Sequence, residues 1–317
     1  MSDNAPVWPE LPVAQWADSR DTLQLMTQIV GKIRLANTPL MNHWWNVPLY
    51  VSARGLTTGL IPYQQRGFQM DFDFLDHRLV VATTEGGTRS IALRPLAIAD
   101  FYSDVMVVLD QLGLTTQIWT MPVEIQDSVY FESDRQHVAY DPDQVRRFWL
   151  ALVQMSRVFE EFRSRFVGKV SPVHVFWGAL DLAVTRFSGR RAPLHPGGAP
   201  HCGPEVMWEA YSHEVSSAGY WPGPDGEGVF YSYAYPEPAG YPSAPVRPDA
   251  ASFSADLGEF TLPYTTVRQA ADPDAVLLEF LQSTYEAAAD LARWDRDALE
   301  RDRQPLRGGA TERLSMG

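Results

Sequence analysis

The chain has 317 residues, 45% of them hydrophobic and 21% charged, which is enough to bury a large core in one domain or two. Its formal net charge of −13 makes nucleic acid an unfavourable partner, because an acidic surface repels phosphate groups. No eighteen consecutive residues are apolar, which argues against a membrane span. The single cysteine, Cys202, rules out an internal disulfide and a multi-cysteine zinc site.

The sequence predicts a cytoplasmic protein. Its first residues, "MSDNAPVWPELP", contain neither the basic region nor the apolar region of a secretory signal. Cys202 follows His201 in "GGAPHCGPE", a composition that is typical of a loop. Because neighbours in sequence are rarely catalytic partners, a nucleophilic role for this cysteine is the less favoured interpretation.

In the first half of the chain, helical and strand-like patterns alternate. Apolar residues recur with a helical period over residues 21–36 and again over residues 97–112. Residues 44–54 alternate between apolar and polar side chains, which predicts a half-buried strand. Residues 68–93 alternate in the same way around two turns and predict an antiparallel meander. The segment "TTQIWTMP" predicts a further strand.

The second half begins with a strong helix signal. Asp141 can cap a helix whose first position is Pro142, where the missing N–H of proline costs nothing. The β-branched residues of "SPVHVFWGALDLAVTRFSGRR", residues 171–191, then predict a strand. Residues 205–216 predict a helix, and "VFYSYAYPEP" predicts a strand. A last helix is expected from the Asp272–Pro273 pair to about residue 297.

These elements predict an α+β fold, with antiparallel sheet and helices packed on its faces. We expect an N-terminal half at residues 1–140, a C-terminal half at 141–299 with a long loop insert at 188–228, and a disordered tail at 300–317. The two halves share an order of elements, and His43 aligns with His174. An internal duplication is one interpretation, and chance similarity is the other.

Three stretches carry a resemblance to a known family: "TQIVGKIRLANTP", "VHVFWGALDLAVTRFSGRRAP" and "EAYSHEVSSAGYWPG". They resemble an uncharacterised bacterial family of proteins of about three hundred residues, described only as a domain of unknown function. The resemblance runs from about Trp8 to Trp294 and implies a compact cytosolic bacterial protein. It carries no reaction, so no catalytic residue is transferred from it.

Asp181 is the first candidate for a functional residue, because it stands between two leucines in a predicted core strand. A buried carboxylate needs a partner, a hydrogen bond, a metal or a proton. The functional interpretations are a general base, a metal ligand or a substrate anchor. The alternatives are an ion pair with Arg186, Arg190 or Arg191, or an outward-facing position on a two-sided strand. On a plain strand His174 would face away from Asp181, unless a bulge re-aims one of them.

A second candidate cluster lies in "EVMWEAYSHEVSSAGYWPG". On a helix, Glu205, Glu209 and His213 would lie one above another, and the spacing of Glu209 and His213 suits two ligands of one metal. A solvated helix face with weak ion pairs is the alternative. The metal, if one is bound, stays unknown, with His174, Glu209 and His213 as candidate ligands.

Aromatic residues supply the third set of candidates. Tyr231, Tyr233 and Tyr235 alternate on one predicted strand, so their rings and hydroxyls would suit a pocket wall. Trp177 and His43, which precedes two tryptophans, are further candidates for contact with a ligand. Aromatic packing in an ordinary core is the alternative for all of them.

No motif for ATP, NAD or a nucleophilic serine occurs, so we expect no nucleotide cofactor. The first functional hypothesis is a small-molecule enzyme with an aromatic-lined pocket. Asp181 or Glu214 would act as the base, His213 or His174 as acid, base or metal ligand, and Arg186 as the anchor of an anion. A non-catalytic small-molecule-binding protein is the alternative, and a structural or partner-binding role is the third hypothesis.

Overall fold

The structure is a computed structural model that describes residues 8–223 and 225–301. Its helices are α1 (Val13–Asn37), α2 (Ile98–Gln111), α3 (Pro142–Ser164), α4 (Pro204–Ala210), α5 (Tyr264–Arg268), α6 (Pro273–Leu291) and α7 (Arg296–Leu299). Its strands are β1 (Tyr50–Ser52), β2 (Gly55–Thr57), β3 (Ile61–Tyr63), β4 (Arg66–Asp73), β5 (Arg78–Thr83), β6 (Thr88–Ala92), β7 (His174–Phe176), β8 (Asp181–Arg191), β9 (His213–Trp221), β10 (Val229–Tyr235), β11 (Ser252–Ser254) and β12 (Glu259–Pro263).

The first sheet is the predicted meander with short strands added. Its order is β1-β2-β4-β5-β6, with β3 also paired to β4, and every pair is antiparallel. Phe68, Met70 and Phe72 of β4 are buried in the core, as their alternation predicts. This part of the sequence prediction is confirmed.

The second sheet is antiparallel throughout and has the order β11-β12-β10-β9-β8-β7. Together with the helices, the two sheets confirm an α+β fold. The internal duplication is not confirmed, because the two sheets differ in strand order. The aligned histidines differ as well: His43 lies in a short 3₁₀ turn, whereas His174 lies in β7.

Helix starts follow the capping rules read from the sequence. The Asp141 side chain accepts hydrogen bonds from the backbone N–H groups of Asp143 and Gln144, and Pro142 occupies the first turn. Asp272 caps α6 in the same way through the N–H of Ala275. The long helices α1, α3 and α6 contribute to one buried cluster, which also receives side chains from both sheets.

Two predicted strands differ from the structure. Residues 44–54 form strand only at Tyr50–Ser52, after a 3₁₀ turn at Asn42–Trp44. Residues 115–122 form no strand; side chains of α1 bind this segment instead, through Asn37 to Thr116 and Lys32 to the Met121 carbonyl. The sequence pattern therefore predicts more strand residues than the structure contains in segments that other elements hold in place.

About half of the region predicted as a loop insert, residues 188–228, is regular secondary structure. It contains the end of β8, all of α4 and the nine residues of β9. The predicted helix at 205–216 ends at Ala210, and His213 begins β9. Small residues in the middle of β9 obscure its strand pattern, because Ser216, Ser217 and Gly219 lack the bulky side chains that mark a strand.

Most of the predicted tail, residues 302–317, lies outside the described residues. Glu300 precedes it and pairs with Phe166 in an isolated bridge. Across residues 8–223 and 225–301, no helix has both the length and the apolar character needed to cross a membrane.

Candidate functional site

A cavity of about 620 Å³ opens against one face of the second sheet. Strands β7 to β10 form its floor. The carboxyl-terminal end of α1, the 3₁₀ turn, residues 117–124, and α4 with its preceding loop form the other walls. The size is within the range of ligand pockets, roughly 300–1,000 Å³. Most of the lining is apolar and aromatic, so its few polar groups define the chemistry.

A tight hairpin brings His174 and Asp181 to the same face of the floor. Strands β7 and β8 pair in antiparallel register, with His174 opposite Ala183 and Phe176 opposite Asp181. Residues that lie opposite each other share a face of the sheet. The plain strand considered from the sequence is therefore replaced by two strands and a turn at residues 177–180, where Leu180 has a φ of 58°.

The Asp181 carboxylate binds the hydroxyl of Tyr231. The hydroxyl donates to Asp181 Oδ2 over 2.5 Å, from a strand two positions away in the sheet. Gly219 on the intervening strand makes this reach possible, because a Cβ at that position would overlap the Tyr231 ring. Burial raises the pKa of Asp181 to about 6, and the Tyr231 hydrogen bond partly opposes that increase.

Two further carboxylates, Glu124 and Glu205, line the cavity; the sequence argument named Glu205 but missed Glu124. The Glu124 side chain packs against the Cα of Gly178, where a Cβ would overlap the carboxylate. Glu124 lines the cavity and is exposed to solvent. Desolvation by the surrounding chain raises its pKa to about 7, and the charge of Asp181 adds to the increase.

Neither Asp181 nor Glu124 has the arginine partner that the sequence suggested for Asp181. Arg186 lies on the opposite face of β8, between the rings of Phe162 and Tyr285, and does not line the cavity. Arg190 pairs with Glu214 instead. Alternation along β8 explains the separation, because positions 181 and 186 are an odd number of residues apart.

His174 lines the cavity as a neutral ring. It is 1% exposed, and its Nδ1 lies 2.7 Å from the Pro172 carbonyl oxygen. A carbonyl only accepts hydrogen bonds, so Nδ1 carries the proton and Nε2 is an acceptor. Nε2 has no hydrogen-bond partner among the described residues. Burial lowers the pKa of His174 to about 4, and the charge of Arg34 contributes to that decrease.

Lys32 is the one lysine of α1, and it lines the opposite wall of the cavity. It is 5% exposed, donates a hydrogen bond to the Met121 carbonyl over 2.8 Å and lies 4.8 Å from the centre of the Trp119 ring. Burial lowers its pKa to about 8, against the opposing charge of Cys202, which also lines the cavity. The amine thus holds residues 119–121 in place and adds a polar group to this wall.

Hydroxyl groups on the floor pair with one another. Thr185 and Ser217 lie 2.8 Å apart at Oγ1 and Oγ, and the hydroxyls of Tyr211 and Tyr233 are also 2.8 Å apart. Tyr231 and Tyr233 line the cavity, as does Trp177, whose indole N–H donates to the Val47 carbonyl. Tyr235 lies outside this cavity and donates to the Pro193 carbonyl.

His43 lines the cavity beside α4. Its backbone N–H donates to Glu209, and its Nδ1 lies 3.0 Å from the Ala210 carbonyl oxygen. Nδ1 therefore carries the proton, and Nε2 accepts from Lys169 over 2.7 Å. Burial lowers the pKa of His43, which keeps the ring neutral. These bonds tie the 3₁₀ turn to α4 and close that side of the cavity.

The remaining sequence candidates lie away from the cavity floor. Glu209 sits on α4, but His213 begins β9 rather than continuing the helix, so the proposed metal-binding spacing does not form. Glu214 accepts hydrogen bonds from Ser188 and Arg190 outside the cavity. In the part of the chain that the structure describes, no group of three or more His, Cys, Asp or Glu residues is placed to hold a metal.

Two functional candidates escaped the sequence argument for different reasons. Lys32 left a signal, since it is, with Arg34, one of two cations at the end of a helical stretch that is otherwise largely apolar and buried. Glu124 left none, because its position depends on how residues 121–124 pack on α1. The Gln28 side chain bonds both the N–H and the carbonyl of Val123, which places Glu124 at the cavity.

Residues 8–301 match a family of unknown function, DUF5996. The chain belongs to this family. The match covers the whole of both sheets and every cavity residue discussed above. Comparison with the curated proteins and with the solved structures found no match. Membership of DUF5996 supplies no reaction, so the chemistry rests on the cavity itself.

Proposed function

We propose that this protein is a small-molecule enzyme that works by general acid–base catalysis, with Asp181 and Glu124 as the groups that exchange protons with the substrate. One observation carries the proposal: two carboxyl groups share an aromatic-walled cavity, and neither forms an ion pair with any described residue. Carboxyl groups in such surroundings are the usual acids and bases of active sites.

The pKa values suit the two roles. Burial raises the pKa of Asp181 to about 6 and that of Glu124 to about 7. Near neutral pH, Asp181 is therefore mainly ionised and able to accept a proton. Glu124 has the higher pKa of the two and is the group more able to donate a proton. Each group has a pKa near the working pH, which is the condition for efficient proton transfer.

Supporting groups orient the carboxylates. The Tyr231 hydroxyl binds Asp181 Oδ2 and fixes the direction of that carboxylate. The apolar and aromatic walls surround a bound substrate with a less polar medium than water, which strengthens its interaction with both charges. A cytoplasmic setting is part of the proposal, and the single cysteine supports it because cytoplasmic proteins seldom rely on disulfides.

Non-catalytic binding is the second candidate. The pairing of Thr185 with Ser217 and of Tyr211 with Tyr233 favours it, because hydroxyls that bond each other offer less to a reacting substrate. In that case the aromatic walls would bind the ligand and the carboxylates would only orient it.

The test is to incubate the purified protein with a mixture of cellular metabolites and to follow each compound by mass spectrometry. We expect wild type to consume at least one compound, and we expect Asp181→Asn and Glu124→Gln to slow that conversion by about 10²–10⁴-fold. Glu214→Gln is the matched control, because it alters a carboxylate outside the cavity. Circular dichroism shows that each variant is folded.

Two results would count against the proposal. Conversion at the wild-type rate by both cavity variants would show that their carboxylates do not transfer protons. Compounds that bind to the wild type and are recovered unchanged would favour the non-catalytic alternative.

A further inference from the structure

We propose that the ligand of this cavity carries a protonated amine or a similarly compact organic cation, bound at Asp181 and Glu124 against the neighbouring aromatic rings. The inference rests on the proposed function, because it concerns the same cavity. It names the chemical class of the substrate, which neither the family nor the sequence supplies.

The first argument is that the polar groups of the cavity with free hydrogen-bonding capacity are acceptors. The Asp181 carboxylate accepts one side-chain hydrogen bond, from Tyr231, and the Glu124 carboxylate accepts none from the described residues. His174 Nε2 is a buried acceptor without a partner on the same floor. All three groups are therefore suited to a ligand that donates hydrogen bonds. An ammonium group has up to three N–H donors and no acceptor, so it suits this set.

The second argument is charge. Arg186 lies on the far face of the sheet, and the Lys32 amine is bound to the Met121 carbonyl on the opposite wall. Neither cation forms an ion pair with Asp181 or Glu124. The repulsion between these two carboxylates is therefore uncompensated. A cation held at both would remove that repulsion, whereas an anion would add to it.

The third argument is the surface beside the carboxylates. Phe176 lies directly across from Asp181 in the hairpin, and the ring of Tyr231 crosses Gly219 to reach it. Trp177 precedes the glycine on which Glu124 packs. Ring faces attract organic cations through their quadrupole and also bury the apolar part of the ligand. Carboxylates beside ring faces thus favour an amine over a neutral polyol.

The experiment compares three aryl probes of similar size but different charge: 2-phenylethylamine, 2-phenylethanol and phenylacetate. Isothermal titration calorimetry at pH 7.5 measures each affinity. We expect the amine to bind at least about tenfold more tightly than the alcohol, because a charge-assisted hydrogen bond adds to the ring contact. Phenylacetate should bind most weakly. Equal or tighter binding of the alcohol or of phenylacetate would overturn the inference, as would failure of all three to bind.

Substitutions in the cavity test which residues produce the preference for the amine. Asp181→Asn and Glu124→Gln should each reduce the preference for the amine over the alcohol to about twofold or less, while the affinity for the alcohol changes little. Glu214→Gln should retain the wild-type preference, since its carboxylate pairs with Arg190 elsewhere. Thermal melts of each variant separate loss of binding from loss of folding. An amine preference that survives both cavity substitutions would place the cation elsewhere and overturn the inference.

The binding measurement is independent of turnover. If the amine is preferred but no compound is converted, the substrate class stands and the enzyme proposal fails. If a neutral or acidic metabolite is converted while the amine probe is not preferred, the enzyme proposal stands and the amine inference fails. Repeating the titration in buffers of different ionisation enthalpy adds a second readout: the amine should release protons from Glu124, because a bound cation favours the ionised carboxylate.

Discussion

Strand β8 carries a charged residue on each of its two faces, buried on one and half-buried on the other. Arg186 points to the side covered by helices; it is 1% exposed, and its guanidinium lies 3.5 Å from the ring centre of Phe162 and 4.2 Å from that of Tyr285. Asp181 points to the other side and binds Tyr231. No described residue of opposite charge forms an ion pair with either.

The two faces differ in what surrounds the charge. Side chains fill the space around Arg186, and its guanidinium also donates to the Phe162 carbonyl. Beside Asp181 a cavity of about 620 Å³ remains open. Burial lowers the pKa of Arg186 to about 9 and raises that of Asp181 to about 6. A perturbed pKa therefore does not distinguish structure from function here, but the open space beside the group does.

The largest expected effect is a loss of folding stability when the charged residue on the helix-covered face of β8 is replaced. Arg186→Ala should destabilise the protein by about 2–5 kcal/mol, because it leaves a void among Phe162, Phe166 and Tyr285. Arg186→Met should cost less, since it refills much of the volume and removes a buried charge. Urea denaturation measures both. A loss below about 1 kcal/mol for alanine would contradict the structural role of this residue.

The next effect tests how the cavity face is built. Gly219→Ala should cost about 1–3 kcal/mol and move Tyr231 away from Asp181, because the new methyl group overlaps the tyrosine ring. Tyr231→Phe is the matched control; it removes the same hydrogen bond without the overlap. Both should further raise the pKa of Asp181, which carbon-detected NMR of the carboxyl group reports. An unchanged pKa in both variants would show that the Tyr231 hydroxyl does not hold Asp181.

A smaller effect is the pH dependence of stability. The folded protein binds a proton at Asp181 more readily than the unfolded chain does, since its pKa rises from 3.8 to about 6. Wild-type stability therefore loses this contribution as pH rises through that interval. Asp181→Asn cannot titrate, so its melting temperature relative to wild type should rise between about pH 4 and pH 6 and then level off.

Asp181→Leu extends the same test. At a ligand site this substitution should preserve or raise stability, because it removes a charge that folding does not favour. The preference for the amine probe over the alcohol should be lost in both variants. Large losses of stability in both, with the amine preference retained by the folded fraction, would instead make Asp181 a structural residue.

The smallest effect is expected outside the cavity. Glu214→Gln breaks the ion pair with Arg190, whose side chain is 48% exposed, and should cost about 1 kcal/mol or less. It should leave ligand binding unchanged. Chemical denaturation and the amine titration together check both statements, and a large loss of binding would return Glu214 to the list of functional candidates.

The candidate site was only partly accessible to sequence reasoning. Asp181, His174, Trp177 and two of the tyrosines do line one cavity, and each could be singled out because a polar or aromatic tip interrupts an apolar pattern. The metal-binding pair was not recovered, since the helix ends at Ala210, three residues before His213. Helix ends depend on local capping and packing, so the periodicity of apolar residues does not locate them to within one helical turn.

The sequence by itself determined the α+β class, the meander of β4 to β6 and the capped starts of α3 and α6. These depend on alternation and on hydrogen bonds between residues within a few positions of each other. Only the tertiary structure decided which charges meet. Glu124 lines the same cavity as Asp181 because α1 binds residues 121 and 123, and Arg186 faces away because strand pairing sets its side. Such contacts join distant segments, and no local pattern encodes their pairing.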